Sequence, residues 1–243
     1  MIMAEEAIEL GKQAGEFRKK ALELLPEGNL DLCFTCGTCA AGCPATGLAD
    51  MDPRKFLRMV LLGLDEEVTK TPWVWMCTGC QRCIYACPMK IDIPRLVYLA
   101  RASWPREERP KGIVGSCDMA LRNASGSAMG VSPEDFQFVV EDVLEEVRGT
   151  QKGWEKLEAP IDKKGAEFFL NQNSREPATE ADELVPLWKI LHIAGVDWTY
   201  GSQGWAGENY CMFLADDKSW EQVTRTTIGK AQELGCKIYL NTE

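Results

Sequence analysis

Apolar residues recur at helical spacing over residues 3–24, through Ile8, Ala14, Phe17, Ala21 and Leu22, with Leu25 just beyond. Pro26-Glu27-Gly28-Asn29 ends that amphipathic helix. A second stretch opens at Asp52-Pro53 and buries Leu57, Val60, Leu61 and Leu64 on one face. A third opens at Ser132-Pro133, where a serine cap, a first-turn proline and Asp135 form a capping box. Its apolar face is Phe136, Val139, Val140, Val143, Leu144 and Val147, and Gly149 stops it. The opposite face carries Glu134, Asp135, Glu141, Asp142, Glu145 and Glu146, a solvated surface suited to a basic partner.

From about residue 166 the period changes. Short apolar runs at 166–170, 196–200 and 236–240 alternate with helical patterns at 180–194 and 217–234, which Gly195 and Gly235 stop. That alternation predicts an α/β domain with a parallel sheet. The last run is followed only by Asn241-Thr242-Glu243, without the helix that normally covers such a strand, so the sequence reads as incomplete there. Residues 105–111, polar and bounded by proline, read as a linker. The predicted divisions are an N-terminal helix at 1–29, a cysteine-rich domain at 30–104, a helical linker region at 105–165 and a partial α/β domain at 166–243.

The cysteines change this picture most. Eight of the eleven fall into two runs, Cys33-x-x-Cys36-x-x-Cys39-x-x-x-Cys43-Pro44 and Cys77-x-x-Cys80-x-x-Cys83-x-x-x-Cys87-Pro88. This is the spacing of two-cluster ferredoxins, present twice. Three thiolates spaced by two residues wrap one face of a cubane, and the fourth, before proline, reaches the other cluster. The expected ligand sets are therefore Cys33, Cys36, Cys39 and Cys87 for one [4Fe–4S] cluster, and Cys77, Cys80, Cys83 and Cys43 for the other. Gly37 and Gly79 sit where the backbone must come close to inorganic sulfide, and Pro44 and Pro88 hold the preceding cysteines extended. Ile84, Ile91 and Ile93 are expected to exclude water, and Trp73 and Trp75 to shield the second cluster. Structural zinc sites pair two knuckles across a longer gap, which this doubled run does not match.

Charge and composition narrow the function further. The formal net charge is −10, against nucleic-acid binding. The acidic N-terminus lacks a signal-peptide pattern, and no apolar stretch of membrane-spanning length exists. Closely spaced cysteines without a secretion signal point to metal ligation in a reduced, cytoplasmic protein.

The long gap between the two runs, with its helix after Asp52-Pro53, resembles the α-helical ferredoxin type of heterodisulfide reductases and succinate dehydrogenases. The segment Gly204-Trp205-Ala206-Gly207-Glu208-Asn209-Tyr210-Cys211-Met212-Phe213 follows a strand and resembles the Cys-Cys-Gly segment of the heterodisulfide reductase D-type protein. The chain as a whole is similar to D-type iron–sulfur proteins of heterodisulfide reductases, nearest the K-type component of the membrane complex linked to dissimilatory sulfite reductase. The resemblance implies an α-helical two-cluster domain followed by an incomplete α/β domain of the Cys-Cys-Gly type. It implies a cytoplasmic protein held at the inner face of the membrane by a cytochrome b-type, quinol-interacting partner. Electrons would pass through two cubanes to a third, noncubane [4Fe–4S] cluster that cleaves a disulfide or trisulfide on a small sulfur-carrier protein. Cys211 is the catalytic candidate, as a ligand of that third cluster.

The sequence departs from the family at Tyr210, where a first cysteine of the pair is expected, and at Asn171-Gln172-Asn173, which lacks one. It ends before the next ligand, so a third cluster requires chain beyond Glu243 and these 243 residues alone read as an electron conduit. An iron–sulfur relay for an anaerobic glycerol-3-phosphate or lactate dehydrogenase is the alternative, and a metal-stapled interaction module without redox role the weakest. Cys117, Cys236 and His192 read as structural residues.

Overall fold

In a computed structural model the described residues are 15–26 and 29–242. Most of the helix expected over 3–24, and part of the turn that ends it, lie outside them. The chain divides into two compact units, 1–110 and 111–243.

In the first unit, helices pack around a core that includes Phe17, Leu30, Phe56, Leu57, Val60, Trp73, Ile91, Ile93 and Leu96. Helix α1 spans Glu16–Leu24 and buries Phe17 and Ala21. It starts against the end of helix α3, Pro53–Leu62, where a Cβ on Gly63 would stand 3.3 Å from the Gly15 Cα. Asp52 caps α3 by accepting from the Lys55 amide at 2.8 Å, the arrangement that Asp-Pro foretells. Helix α2 is the short turn Thr38–Ala41 inside the first cysteine run, α4 is Asp65–Lys70, and α5, Arg82–Ala86, lies inside the second run. Helix α6, Ile93–Ala102, closes the unit with Asp92 as its cap.

The second unit is a layered α/β structure. Strands β1 (Phe168–Asn171), β2 (Trp198–Thr199) and β3 (Ile238–Asn241) form a parallel sheet in the order β2-β1-β3. Phe168 pairs with Trp198 on one side and with Ile238 on the other. Successive β1 side chains point to opposite faces. Leu170 joins a core with helices α8 (Pro133–Thr150) and α10 (Leu184–Ile193), while Phe169 packs on Ala231 and Leu234 at the end of helix α12 (Asp217–Glu233). Helices α7 (Lys111–Arg122), α9 (Arg175–Thr179) and α11 (Tyr210–Phe213) complete the unit. The predicted helix at 180–194 is a 3-10 turn over Ala181–Glu183 followed by α10, whose first turn accommodates Pro186.

Of the stretch 105–165, expected as a helical linker region, residues from 111 onward belong to this unit. Ser132 caps α8 through the Asp135 amide at 3.0 Å. The Phe136 ring stacks on Trp205 at 4.0 Å between centroids and meets the edge of Tyr200 at 5.1 Å. The acidic outer face of α8 is exposed, together with Phe138. No helix among the described residues is long and apolar enough to cross a membrane.

Candidate metal centres

The two cysteine runs share one backbone course. In each, the residue before the second cysteine and the residue after it adopt positive φ: Thr35 at 62° and Gly37 at 84° in the first, Gly79 at 69° and Gln81 at 63° in the second. Glycine takes that conformation freely, whereas Thr35 and Gln81 hold it at a cost of about 1 kcal/mol each. The two runs place glycine at different members of the pair, so sequence alone shows only half of the repeated geometry. The second cysteine of each run, Cys36 and Cys80, is exposed, and the others are half-buried or, for Cys39, buried.

The thiols gather around two recesses in the first unit. One, open to solvent, is lined by Cys33, Cys36, Cys39 and Cys87, with Phe34, Leu57, Met89 and Ile91 among its walls. The other is lined by Cys43, Cys77, Cys80 and Cys83, with Trp73, Met76 and Pro44. Each recess thus takes three cysteines from one run and the last cysteine of the other, and Ile93 lines both.

The electrostatics divide the thiols in the same way. Burial pushes Cys39 up to about 11, with Cys33 and Cys87 adding to the rise. Burial likewise pushes Cys83 up to about 12, reinforced by Cys77 and Cys43. Cys77 is raised by burial, against a lowering contribution from Arg101. Cys36 is lowered by the Thr38 hydroxyl, 3.2 Å from its sulfur. Raised thiols in an apolar wall are poor free nucleophiles and need a positive centre to become thiolates.

Of the aromatic and aliphatic residues expected around the clusters, Trp73 is buried, lines the second recess and donates its ring N–H to the Ala45 carbonyl at 2.9 Å. Ile91 and Ile93 are wall residues, whereas the half-buried Ile84 lines neither recess. Trp75 stands aside, edge-on to Trp104 with the Arg101 guanidinium 5.4 Å from its ring centre. Arg101, which carries no signal in sequence beyond a helix-end cation, is 5% exposed and donates to the Val74 carbonyl at 2.9 and 2.7 Å and to the Cys77 carbonyl.

The donor set fits iron–sulfur clusters. Four thiols spread around an apolar recess suit a polynuclear centre, while a zinc ion draws its ligands to tetrahedral contact.

The second unit departs from expectation. Cys211, the predicted third-cluster ligand, lies in α11 and forms a disulfide with Cys117 of α7. Both residues are buried, at 3% and 0% exposure, and a sulfur in a disulfide offers no thiolate to iron. Cys117, expected to be a free structural thiol, is its partner. Cys236 is the remaining free thiol among the described residues of this unit and packs beside Phe169, Ala231 and Leu234. Asn171 gives its side-chain N–H to the Trp205 carbonyl at 2.9 Å. Gly207 lies so close that a Cβ there would stand 2.0 Å from the Asn171 Oδ1. These donors do not fit a third cluster. His192 is exposed on α10, its ring 6.0 Å from that of Trp154.

Comparison with known proteins points to the same kind of cofactor-binding domain. Residues 29–91 match the family described as 4Fe-4S dicluster domain, so the chain carries an iron–sulfur electron-transfer domain. Its homologues are the C-type iron–sulfur components of heterodisulfide reductases. One is the C component of the H(2):CoB-CoM heterodisulfide,ferredoxin reductase of Methanothermobacter marburgensis, 36% identical over 97 residues, which are 40% of this chain and 52% of the relative. Another is the C component of the ferredoxin:CoB-CoM heterodisulfide reductase of Methanosarcina acetivorans, 35% identical over 90 residues, 37% of this chain and 36% of the relative. A protein of Archaeoglobus profundus described as similar to the heterodisulfide reductase C component is 28% identical over 94 residues, 37% and 50% of the two chains. The chain spans about half the length of the first of these curated relatives. All three relatives are of the C type, whereas the resemblance read from the whole sequence is to the D type and its K-type kin, which these relatives do not bear out.

Proposed function

We propose that this chain is the electron-relay component of a heterodisulfide-reductase-like complex. It holds one [4Fe–4S] cluster on Cys33, Cys36, Cys39 and Cys87 and a second on Cys43, Cys77, Cys80 and Cys83. The observation that carries this reading is the exchange of the fourth cysteine between the two recesses. Bound there, such clusters accept and release single electrons at low potential. The protein's own contribution is to fix four thiolates per site, to exclude water with Trp73, Ile91 and Ile93, and to set the two sites on either side of one shared wall residue.

The complex we envisage works in dissimilatory sulfur metabolism. A cytochrome b-type membrane partner supplies electrons at the cytoplasmic face, and the terminal step reduces a disulfide or trisulfide on a small carrier protein. The 243 residues act as conduit, because the second unit offers no thiolate set for the sulfur–sulfur cleavage step. Anaerobic purification followed by iron and sulfide analysis tests the cluster reading, with about eight of each expected per chain. Stoichiometric zinc without iron overturns it. A viologen-coupled assay with a carrier-protein trisulfide tests the conduit reading, and turnover by this chain alone overturns that part.

A further inference from the structure

The two recesses are alike in thiols and unlike in the cations that face them. The first is lined by Arg54, whose guanidinium lies over the loop such that a Cβ on Gly37 would be 3.6 Å from its Nη1. Arg54 is exposed, so water and salt screen its charge. The second recess has an exposed arginine too, Arg82, in its wall. Behind it stands Arg101, which is 5% exposed and held by the Val74 and Cys77 carbonyls. A guanidinium stays protonated in proteins, so Arg101 keeps its charge at neutral pH. A charge held in the interior acts through a lower effective dielectric than one on the surface and is little screened by salt.

Resting on the two-cluster reading above, we infer that Arg101 is a positioning and tuning residue that makes the Cys43/Cys77/Cys80/Cys83 centre the higher-potential one of the pair. Reduction adds one negative charge to a cluster. A fixed buried cation beside one recess stabilises that charge there, and the exposed arginines stabilise it less at either. The hydrogen bond to the Cys77 carbonyl ties the guanidinium to the ligand loop itself. An electron entering the relay then settles on the second centre, which becomes the exit side of the relay toward an oxidising partner and the storage side in its absence.

The test is a redox titration followed by EPR on the anaerobically purified full chain. Cys36→Ser and Cys80→Ser assign each wave to its recess. In the unaltered protein the higher-potential wave is expected to be the one that Cys80→Ser disturbs. Arg101→Gln should shift that wave downward and leave the other in place, Arg101→Lys should restore most of the shift, and Arg54→Gln should move either wave less than Arg101→Gln does. If the higher wave belongs to the Cys36 recess, or if Arg101→Gln loads both clusters and moves neither midpoint, the inference is overturned. The assignment in the unaltered protein decides the matter even where Arg101→Gln fails to assemble. Absence of two iron–sulfur signals in the unaltered protein instead removes the reading on which the inference rests.

Discussion

Cys87 ends the second cysteine run, yet it lines the recess of Cys33, Cys36 and Cys39, while Cys43, which ends the first run, lines the recess of Cys77. Burial is the main reason the Cys39 and Cys83 thiols are raised, with lesser contributions from Cys87 and from Cys43 respectively. Replacement of one terminal cysteine therefore acts at a distance in sequence. Cys43→Ala is expected to perturb the absorption and EPR signature of the centre built on Cys77, Cys80 and Cys83 and to spare the one beside it in the chain. A change confined to the Cys33 centre contradicts the exchange.

Cluster retention should weaken as pH falls. Cys39 and Cys83 sit at about 11 and about 12, above the ordinary thiol value of 9.0. Through the neutral range both are protonated in the metal-free fold, and ligation must expel their protons. Each contributes roughly a tenfold loss of apparent affinity per pH unit downward. Iron release to a chelator, followed by loss of visible absorption, should be faster at about pH 6 than at about pH 8. Equal rates at the two values rule out proton-coupled ligation by these thiols.

The disulfide between Cys117 and Cys211 closes a loop with a sequence separation of 94. Constraint of so long a loop in the unfolded chain is worth about 4.7 kcal/mol at most, with strain and residual structure reducing it. Cys117→Ala should lower the stability of the second unit by roughly 2–4 kcal/mol in denaturant melts while leaving iron content unchanged. Loss of iron in that variant would show that the two units depend on one another in a way their separate cores do not indicate.

Phe136 is buried between the rings of Trp205 and Tyr200. Truncation at such a site costs a transfer contribution and a cavity contribution together, about 3–5 kcal/mol. Phe136→Ala is expected to broaden or abolish the unfolding transition of the second unit and to leave cluster absorption intact. A loss below about 1 kcal/mol would mean that α8 packs far less tightly than its aromatic contacts suggest.

The sequence disclosed some parts of this protein directly and hid others for identifiable reasons. The helix starts at Asp52-Pro53 and Ser132-Pro133 were legible because capping is a local interaction, and both caps are formed. The strands were legible because the apolar period shortens, although β2 is shorter than the run that announces it. The cysteine runs announced their chemistry through spacing. The pairing of Cys117 with Cys211 was not readable, because nothing local links the two residues and connectivity is set by the packing of α7 and α11. Arg101 was hidden for the same reason: a basic residue in the last turn of a helix is ordinarily a surface group, and only the fold brings the Val74 and Cys77 carbonyls around it. The region 111–165 looked like connection because its helices bury their apolar faces against residues such as Trp205, far along the chain.

The sharing of Ile93 and the exchange of Cys43 and Cys87 bear on how the protein is made. A nascent chain that has emerged as far as Cys43 has three of the four thiols of its first recess and one of the second, with neither wall closed. Both recesses reach completion together, only after synthesis has passed Cys87 and α6 has brought Ile93 into place. On the two-cluster reading, neither site has all four thiols and its Ile93 wall until synthesis has passed α6, and a chain halted between the two runs holds only an open set of thiols.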